Sequence, residues 1–203
     1  CNKVSIVMIL SPRDALEKNL RASIEAKQAM LADTEMLARF SKVAELVIDA
    51  YRKGGRLYIA GNGGSAADAQ HLSAEFVSKL ARERDPLPAE ALTVDSSTLT
   101  AIGNDYGFEM IFARQVYGKV TVRDVFLGIT TSGNSENIIR ALQACRERGI
   151  ASILFAGGDG GRSAQFADHV VIAKGCATST IQEVHIVFAH TLCECVEQAI
   201  FRD

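Results

Sequence analysis

The stretch "RLYIAGNGGSAADAQH", residues 56–71, places an apolar run, a glycine-rich turn and a helix-forming segment one after another. A short apolar run followed by a Gly and Ser cluster that opens a helix is typical of a strand buried on both faces of a parallel sheet. The stretch therefore predicts the first strand–turn–helix unit of an α/β fold.

Four further segments repeat the apolar part of this pattern. They are AEALTV (89–94), VFLGIT (125–130), ASILFA (151–156) and HVVIA (169–173). Between them the apolar residues recur at helical spacing. Helices are expected near 66–82, 135–148 and 161–167, with a less regular link through 97–118 and a last helix at about 178–201. This alternation predicts an α/β protein with a five-stranded parallel sheet.

The first quarter of the chain reads as a helical arm. Apolar residues such as Leu16, Leu20 and Ile24 recur at three- and four-residue steps through residues 12–53. Because this stretch contains no strand, its apolar face must pack on the later domain or on another copy of the chain. We expect an N-terminal helical arm at 1–53 that serves oligomerisation and a sheet domain at 54–203, together forming one structural unit.

Composition excludes several classes of protein. The chain of 203 residues is 48% hydrophobic and 23% charged, with a formal net charge of −2, as in ordinary globular proteins. It has no basic stripe interleaved with aromatic residues, so no nucleic acid is expected as a partner. The apolar run near the N-terminus is much shorter than the ~20 residues of a membrane span, so no membrane association is expected. Five cysteines without framework spacing indicate reduced thiols and a cytoplasmic protein.

Two hydroxyl-rich turns follow the first and the third apolar runs. The first is GNGGSAADAQ (61–70) and the second is TTSGNSEN (130–137). In an open parallel sheet, ligands bind beyond the carboxyl ends of the strands, where such turns lead into helix N-termini. Hydroxyls and backbone N–H groups at helix starts can hold a phosphate without a lysine. The turns therefore favour a small phosphorylated metabolite as the ligand.

The first turn also has other interpretations. Gly61, Gly63 and Ala66 match the G-x-G-x-x-A pattern of dinucleotide-binding sites. The acidic residue that such a site needs about twenty positions later is Asp95, which lies rather too far along, so no nucleotide cofactor is expected. The glycines could also simply make a tight turn whose serines cap the helix.

Titratable residues occupy two predicted helices. His71 and Glu75 are four apart and share one face near the phosphate turn, and the last helix carries Gln182, Glu183 and His190. Helical geometry puts Glu183 about 20° from His190 and Gln182 about 80° from it, so spacing alone prefers Glu183 as the partner. If the two helices meet, these groups could hold a Zn²⁺-like ion, or act without metal as base and acid.

The remaining histidines and one cysteine have plainer interpretations. His169 and His185 are expected to be satisfied core residues. Cys176 is near enough to be an alternative metal ligand, although a buried thiol is the preferred interpretation.

Five sequence blocks together resemble one family. GNGGSAADAQH, AIGNDYGFE, FARQV, TTSGNS and IQEVHIVFAH are similar to the bacterial phosphoheptose isomerases of the sugar isomerase (SIS) family, in order from about residue 56 to 200. The resemblance implies a three-layer α/β/α sandwich (the SIS fold), a homotetramer, and interconversion of sedoheptulose 7-phosphate with D-glycero-D-manno-heptose 7-phosphate. That reaction is the first step in making ADP- or GDP-heptose precursors.

The resemblance also assigns roles to residues. It implies Glu75 as the base and His190 as the acid, with one Zn²⁺ per subunit held by His71, Glu75, Gln182 and His190. It therefore prefers Gln182 to Glu183, against the helical spacing, and we follow it. It implies a set of substrate-binding residues that contact the phosphate or the sugar hydroxyls: Asn62, Gly63, Gly64, Ser65, Asp95, Asn104, Asp105, Thr130, Thr131, Ser132, Ser135 and Gln182.

The chain departs from the family pattern in a few places. Thr130 replaces a serine, Lys79 a frequent arginine, and Thr180 a frequently basic residue. Loss of a guanidinium is not conservative at a site that reads hydroxyls or phosphate, so these changes concern the identity of the sugar.

Some relatives are non-catalytic partners of the bacterial replication initiator that look to have lost the acid and base. A protein that only senses a sugar phosphate would need the phosphate-binding serines but neither Glu75 nor His190. The presence of both Glu75 and His190 favours an enzyme.

Overall fold

A computed structural model describes residues 10–201, and its described part contains seven α-helices and five strands. The helices are α1 (Pro12–Ala32), α2 (Thr34–Arg52), α3 (Gly64–Val77), α4 (Ser96–Tyr106), α5 (Ala113–Lys119), α6 (Glu136–Arg148) and α7 (Thr178–Ile200). The strands are β1 (Leu57–Gly61), β2 (Ala89–Ala91), β3 (Val125–Thr130), β4 (Ala151–Ala156) and β5 (His169–Ile172). Residues 1–9 of the predicted arm, including Cys1, lie outside the described residues.

The strands form one parallel sheet in the order β2-β1-β3-β4-β5, as the sequence predicts. Strands β1 and β3 are buried along their whole length, which explains why their sequences are apolar at consecutive positions. Strand β2 spans only three of the six residues of AEALTV, because the chain turns immediately after Ala91. The turns after β1 and β3 lie side by side at one edge of the sheet.

Two hydrophobic cores lie on opposite faces of the sheet. Side chains of Leu57 and Ile59 join a core with helices α1, α2, α3 and α7, whereas Tyr58 and Ala60 join a second core with α4, α5 and α6. This alternation follows from the two-residue period of a strand. The predicted three-layer α/β/α arrangement is therefore confirmed.

The predicted helical arm consists of two helices separated at Asp33. The Asp33 carboxylate accepts a hydrogen bond from the Met36 N–H at 3.0 Å and caps α2, while its own N–H donates to the Met30 carbonyl. Helix α2 packs on α7 and β5, and α1 packs on α7. On α1, however, Leu16, Leu20 and Ile24 remain more than half exposed.

Two predicted connections differ from the structure. Residues 161–167 do not form a crossover helix, since only Gly161–Ser163 make a single 3-10 turn. Gly160 and Gly161 have φ values of +88° and +53° and press their backbone against the turn after β3, which leaves no room for helical side chains. The link at 97–118 is instead more regular than expected, because it contains α4 and α5. Among the described residues no helix combines the length and apolarity needed to cross a membrane.

Gly133 holds the turn after β3 in place. It has a φ of +66°, and its carbonyl accepts hydrogen bonds from the N–H of Ser163 at 2.8 Å and from the Ser163 hydroxyl at 2.6 Å. A Cβ at this position would lie 2.1 Å from the Gly160 carbonyl oxygen. The close contact between two backbone segments thus requires glycine.

His185 is a core residue, as predicted. Its side chain on α7 is 1% exposed, and its Nε2–H donates to the Ala156 carbonyl at 3.1 Å. Its Nδ1 has no hydrogen-bond partner among residues 10–201. Burial lowers the pKa of His185 to about 4, although the bond to Ala156 opposes the shift. His169 on β5 is only partly buried.

Substitution of Gly133 by alanine should destabilise the protein more than the same change at Gly149. Gly149 has nearly the same φ, +65°, but an added Cβ would meet no atom within 4 Å. We expect Gly149→Ala to lower the free energy of unfolding by about 1–2 kcal/mol from backbone strain alone. Gly133→Ala should lower it by about 1–3 kcal/mol more, from the added clash. Urea unfolding at a fixed protein concentration measures both, and equal losses would contradict this account of the turn.

Acid should destabilise the protein partly through His185. Between pH 6.5 and 4 the unfolded His185 binds a proton that the folded form does not, so stability falls as the pH is lowered through this window. The slope from one such group is about 1.4 kcal/mol per pH unit. Urea unfolding from pH 7 to 4.5 should therefore show a shallower decline for His185→Gln than for wild type. His169→Gln is the control, and parallel curves for wild type and His185→Gln would disprove the assignment.

Candidate active site

The two hydroxyl-rich turns form a single cavity. Because β1 and β3 are neighbours, their turns enclose a space of about 310 Å³ at the carboxyl edge of the sheet, which the first turns of α3 and α7 complete. The cavity is lined by Asn62, Gly63, Gly64, Ser65, Ile129, Thr130, Thr131, Ser135, Thr178 and Gln182. Eight of the predicted substrate-binding residues therefore lie together, and Thr178 is a lining residue that the sequence analysis did not single out.

Hydrogen bonds fix the hydroxyls of the second turn. Thr130 and Ser135 hydroxyls lie 3.0 Å apart, and Ser132 Oγ accepts from the Asn134 N–H at 3.1 Å. Ser65 is buried in the first turn of α3, and Ser135 directly precedes α6. The N-termini of α3 and α6, with their positive dipole ends, thus lie at the same cavity, an arrangement that favours an anion.

Two asparagines link the turns to each other. Asn62 Nδ2 donates to Asn137 Oδ1 at 2.8 Å, and Asn137 Nδ2 donates to Asn62 Oδ1 at 2.9 Å. The Asn62 side chain is therefore engaged within the protein. In the structure it holds the shape of the cavity, while its predicted contact with the sugar stays a prediction.

A cluster of three titratable side chains lies where α3 meets α7. His71 Nε2 is 3.1 Å from Glu75 Oε1, and His190 Nε2 is 3.4 Å from His71 Nε2. The ligand atoms of all three residues lie within 4.8 Å of one another. The helices that carry them are in contact, as the predicted site requires. The three residues form a candidate metal-ligand group.

Gln182 and Glu183 occupy different surroundings on α7. Glu183 is exposed and lies 3.6 Å from Lys27 of α1, so the preference of helical spacing for Glu183 is wrong. Gln182 turns toward the first turn of α3, where its amide lies against Gly64 and lines the cavity. Gln182 lies about two helical turns before His190, so its role as the fourth metal ligand stays a prediction.

The predicted sugar-binding residues on α4 are not part of this cavity. Asp95 caps α4, because its carboxylate accepts hydrogen bonds from the hydroxyl and the N–H of Thr98. These two bonds, of which the hydroxyl's has the larger effect, hold the pKa of Asp95 below its usual value. Asn104 donates to Asp105 at 2.8 Å. Helix α4 packs on the opposite face of the sheet from α3 and α7. Contacts of these three residues with a sugar remain predictions.

Asp68 is a carboxylate near the site that the sequence analysis missed. Its Oδ2 is buried without a hydrogen-bond partner among the described residues. Burial raises the pKa of Asp68, and the nearby His71 partly opposes this. The signal was available in the spacing, since Asp68 precedes His71 by three residues and therefore shares its helical face.

Of the three departures from the family pattern, Thr130 lines the cavity, whereas Lys79 and Thr180 are not among its lining residues. Lys79 is half exposed and pairs with Glu83. Thr180 is buried and packs against Gly175, so in this chain the position serves packing. Cys176 is exposed, which contradicts the prediction of a buried thiol, because it lies in the loop before α7.

Comparisons with known proteins identify the family of this chain. Residues 20–157 match the family described as SIS domain. The phosphoheptose isomerase of Aneurinibacillus thermoaerophilus is 47% identical over 190 residues, which cover 94% of this chain and 96% of that protein. The phosphoheptose isomerase of Aquifex aeolicus is 48% identical over 186 residues, or 91% and 97% of the two chains.

A solved structure supports the same relationship. The phosphoheptose isomerase of Neisseria gonorrhoeae superposes with a TM-score of 0.86 at 39% identity, over 93% of this chain and 100% of that one. Fold, sequence identity and coverage agree over nearly the whole length. The chain therefore belongs to the SIS domain family and, within it, to the phosphoheptose isomerases.

Proposed function

We propose that this protein is an aldose–ketose isomerase that interconverts sedoheptulose 7-phosphate and D-glycero-D-manno-heptose 7-phosphate, the entry to heptose precursor synthesis. The observation that carries the proposal is the convergence of Glu75 and His190, from two different helices, beside a hydroxyl-lined anion cavity. The relatives that match over more than nine tenths of the chain carry the name of this activity.

The cavity binds the phosphate end of the substrate. The hydroxyls of Ser65, Thr131 and Ser135, with backbone N–H groups at the starts of α3 and α6, donate hydrogen bonds to the phosphate oxygens. Ser132, which is not among the cavity-lining residues, is expected to join them from the same turn. No cation is required for this, because the two helix dipoles place partial positive charge at the same point. Gly63 and Gly64 let the phosphate approach the backbone closely.

Glu75 and His190 move the protons of the reaction. The carboxylate of Glu75 takes the proton from C1 of the ketose and returns it to C2, so that the reaction passes through a cis-enediol. His190 gives a proton to the C2 oxygen, where negative charge develops as the carbonyl is lost, and takes up the proton of the C1 hydroxyl as the aldehyde forms. A positioned acid–base pair of this kind contributes about 10²- to 10⁴-fold to the rate.

The donor set fits a zinc ion. Tetrahedral ligands at ~2.0–2.1 Å from Zn²⁺ lie about 3.3 Å from one another, and the two shortest separations in the cluster are 3.1 and 3.4 Å. Two imidazole Nε2 atoms that face each other are also poorly placed unless a proton or a cation lies between them. His71, Glu75 and His190 would hold the ion, with Gln182 as the fourth ligand. When bound, Zn²⁺ supplies Lewis-acid stabilisation of charge on the sugar oxygens.

A non-catalytic role is less well supported. An adaptor of the replication initiator, or a sugar-phosphate sensor, would need the anion cavity but not the contact between Glu75, His71 and His190. The close approach of these groups across two helices is best explained by chemistry on the ligand.

We extend the proposal to the assembly and its compartment. The apolar side chains of Leu16, Leu20, Ile24 and Leu31 are exposed on α1, which supports a homotetramer in which this helix contacts other copies. The cysteines at 145, 176, 193 and 195 are free, which supports a reducing cytoplasm.

Glu75→Gln should abolish isomerisation without loss of the fold. The amide cannot accept the C1 proton, so we expect turnover to fall by about 100-fold or more. The measurement is NMR of zinc-loaded protein with sedoheptulose 7-phosphate in D₂O, which follows formation of the aldose and deuterium at C2. Glu183→Gln, a matched change on the exposed side of α7, is the control and should retain activity.

The outcomes separate the alternatives. Full activity of Glu75→Gln would exclude Glu75 as the base. Absence of product and of deuterium exchange in the wild type, with zinc present, would reject the isomerase and favour the binding protein.

Zinc affinity tests the ligand set directly. His71→Ala and His190→Ala should each weaken Zn²⁺ binding by more than the roughly 10- to 100-fold typical of an outer-shell partner. Competition with a chelating dye measures the dissociation constant without reference to activity. Gln182→Ala decides whether Gln182 is the fourth ligand, and His169→Ala is the control. Unchanged affinity in both His71→Ala and His190→Ala would refute the proposed site.

A further inference from the structure

A buried ion pair joins the loop after α3 to the last turns of α7. Arg84 Nε donates to Glu197 Oε1 at 2.8 Å, and both side chains are 1% exposed. The Glu197 carboxylate also accepts from the backbone N–H groups of Leu80 at 3.0 Å and Ala81 at 3.1 Å. The Glu197 carboxylate on α7 thus accepts hydrogen bonds from three donors in the loop after α3.

The same arginine caps the C-terminus of α3. Arg84 Nη2 donates to the carbonyl of Glu75 at 2.8 Å, and Nη1 donates to the carbonyl of Phe76 at 2.8 Å. These belong to the last carbonyls of the helix, which have no partner within it. A cation at this end also complements the helix dipole. The backbone of the proposed catalytic base is therefore held by a residue nine positions further along the chain.

The pair lies close to the titratable cluster on both helices. Glu197 follows His190 by seven residues, which is two helical turns on the same face of α7. Arg84 reaches back to the carbonyl of Glu75 itself. Helices α3 and α7 are thus joined at two places, once by Glu75, His71 and His190 and once by Arg84 and Glu197.

We propose that Arg84 and Glu197 are positioning residues that set the distance between Glu75 on α3 and His190 on α7. Neither residue touches the substrate. They act through the Glu75 backbone and through α7, and so keep the ligand atoms of the cluster at the separations that a metal ion and proton transfer require. This inference rests on the proposed isomerase site, which it deepens by naming what supports the cluster.

The negative charge of Glu197 contributes to this positioning. Burial alone would raise the pKa of Glu197, but the hydrogen bonds from Leu80, Arg84 and Ala81 outweigh it and hold the pKa below its usual value. The carboxylate therefore stays ionised at neutral pH. Two apolar side chains of similar volume could fill this space with comparable stability, but they could not hold the loop N–H groups or the carbonyls of α3.

The test uses two variants of the zinc-loaded enzyme. Arg84→Lys keeps a positive charge opposite Glu197 but loses the planar fork that reaches the two carbonyls and the carboxylate together. The double variant Arg84→Met/Glu197→Leu removes both charges and keeps the interior filled. We expect the Zn²⁺ dissociation constant to rise about 10-fold or more in each variant. The kcat should fall by about 10- to 100-fold, because displaced groups lose their alignment.

The KM should change little, because the phosphate cavity lies at the other end of α3. Asp124→Asn is the matched control. Asp124 is also a buried carboxylate that accepts backbone N–H groups, from Arg56 and Thr121, but it lies at the amino edge of the sheet. The Asp124→Asn enzyme should be less stable than the wild type, while its zinc affinity and kcat stay unchanged.

The results distinguish positioning from simple stabilisation. If either folded variant binds Zn²⁺ and turns over like wild type and Asp124→Asn, the inference is overturned. If the wild type fails to isomerise any heptose phosphate, the proposed function fails. The zinc dissociation constants then still report whether Arg84 and Glu197 hold the cluster together.

Discussion

The contact between α3 and α7 is the constraint on which the site depends. Two members of the titratable cluster come from α3 and one from α7, and the helices are over a hundred residues apart in sequence. Both helices lie on the same face of the sheet, where their apolar sides join one core through residues such as Leu72 and Leu192. Burial of that core brings the polar groups together, so the cluster can form only in the folded chain.

In the proposed site, helix α3 serves both ends of a phosphorylated sugar. Its N-terminus carries Ser65 and the positive dipole end proposed to attract the phosphate, and its later turns carry His71 and Glu75. Side chains on a helix tilt toward its N-terminus, so the Glu75 carboxylate lies nearer to the phosphate cavity than its Cα does. In a heptose 7-phosphate the phosphate and the carbonyl are likewise at opposite ends of the carbon chain. One rigid element thus sets the separation of binding and chemistry.

The sequence predicts the sheet well because local signals agree there. Consecutive apolar residues in β1 and β3, each followed by glycine and serine, leave few alternatives to a buried parallel strand. The segment at 161–167 is mispredicted because Gly160 and Gly161 pack against Gly133, a contact with no local signature. Glu183 is misjudged because angles on an ideal helix take no account of Lys27, which approaches from α1. The buried Arg84–Glu197 pair is likewise invisible to any short-range pattern.

The residues proposed for the reaction and those expected to read the sugar belong to different parts of the chain. The groups proposed to hold phosphate and move protons lie on α3, α6 and α7 and their flanking turns, around one edge of the sheet. The residues expected to read the sugar hydroxyls, Asp95, Asn104 and Asp105, lie instead at the N-cap of α4 and within that helix, across the sheet. They are exposed there, and Asp95 is already engaged in capping its helix. If these residues do read the sugar, they must meet it from beyond this cavity.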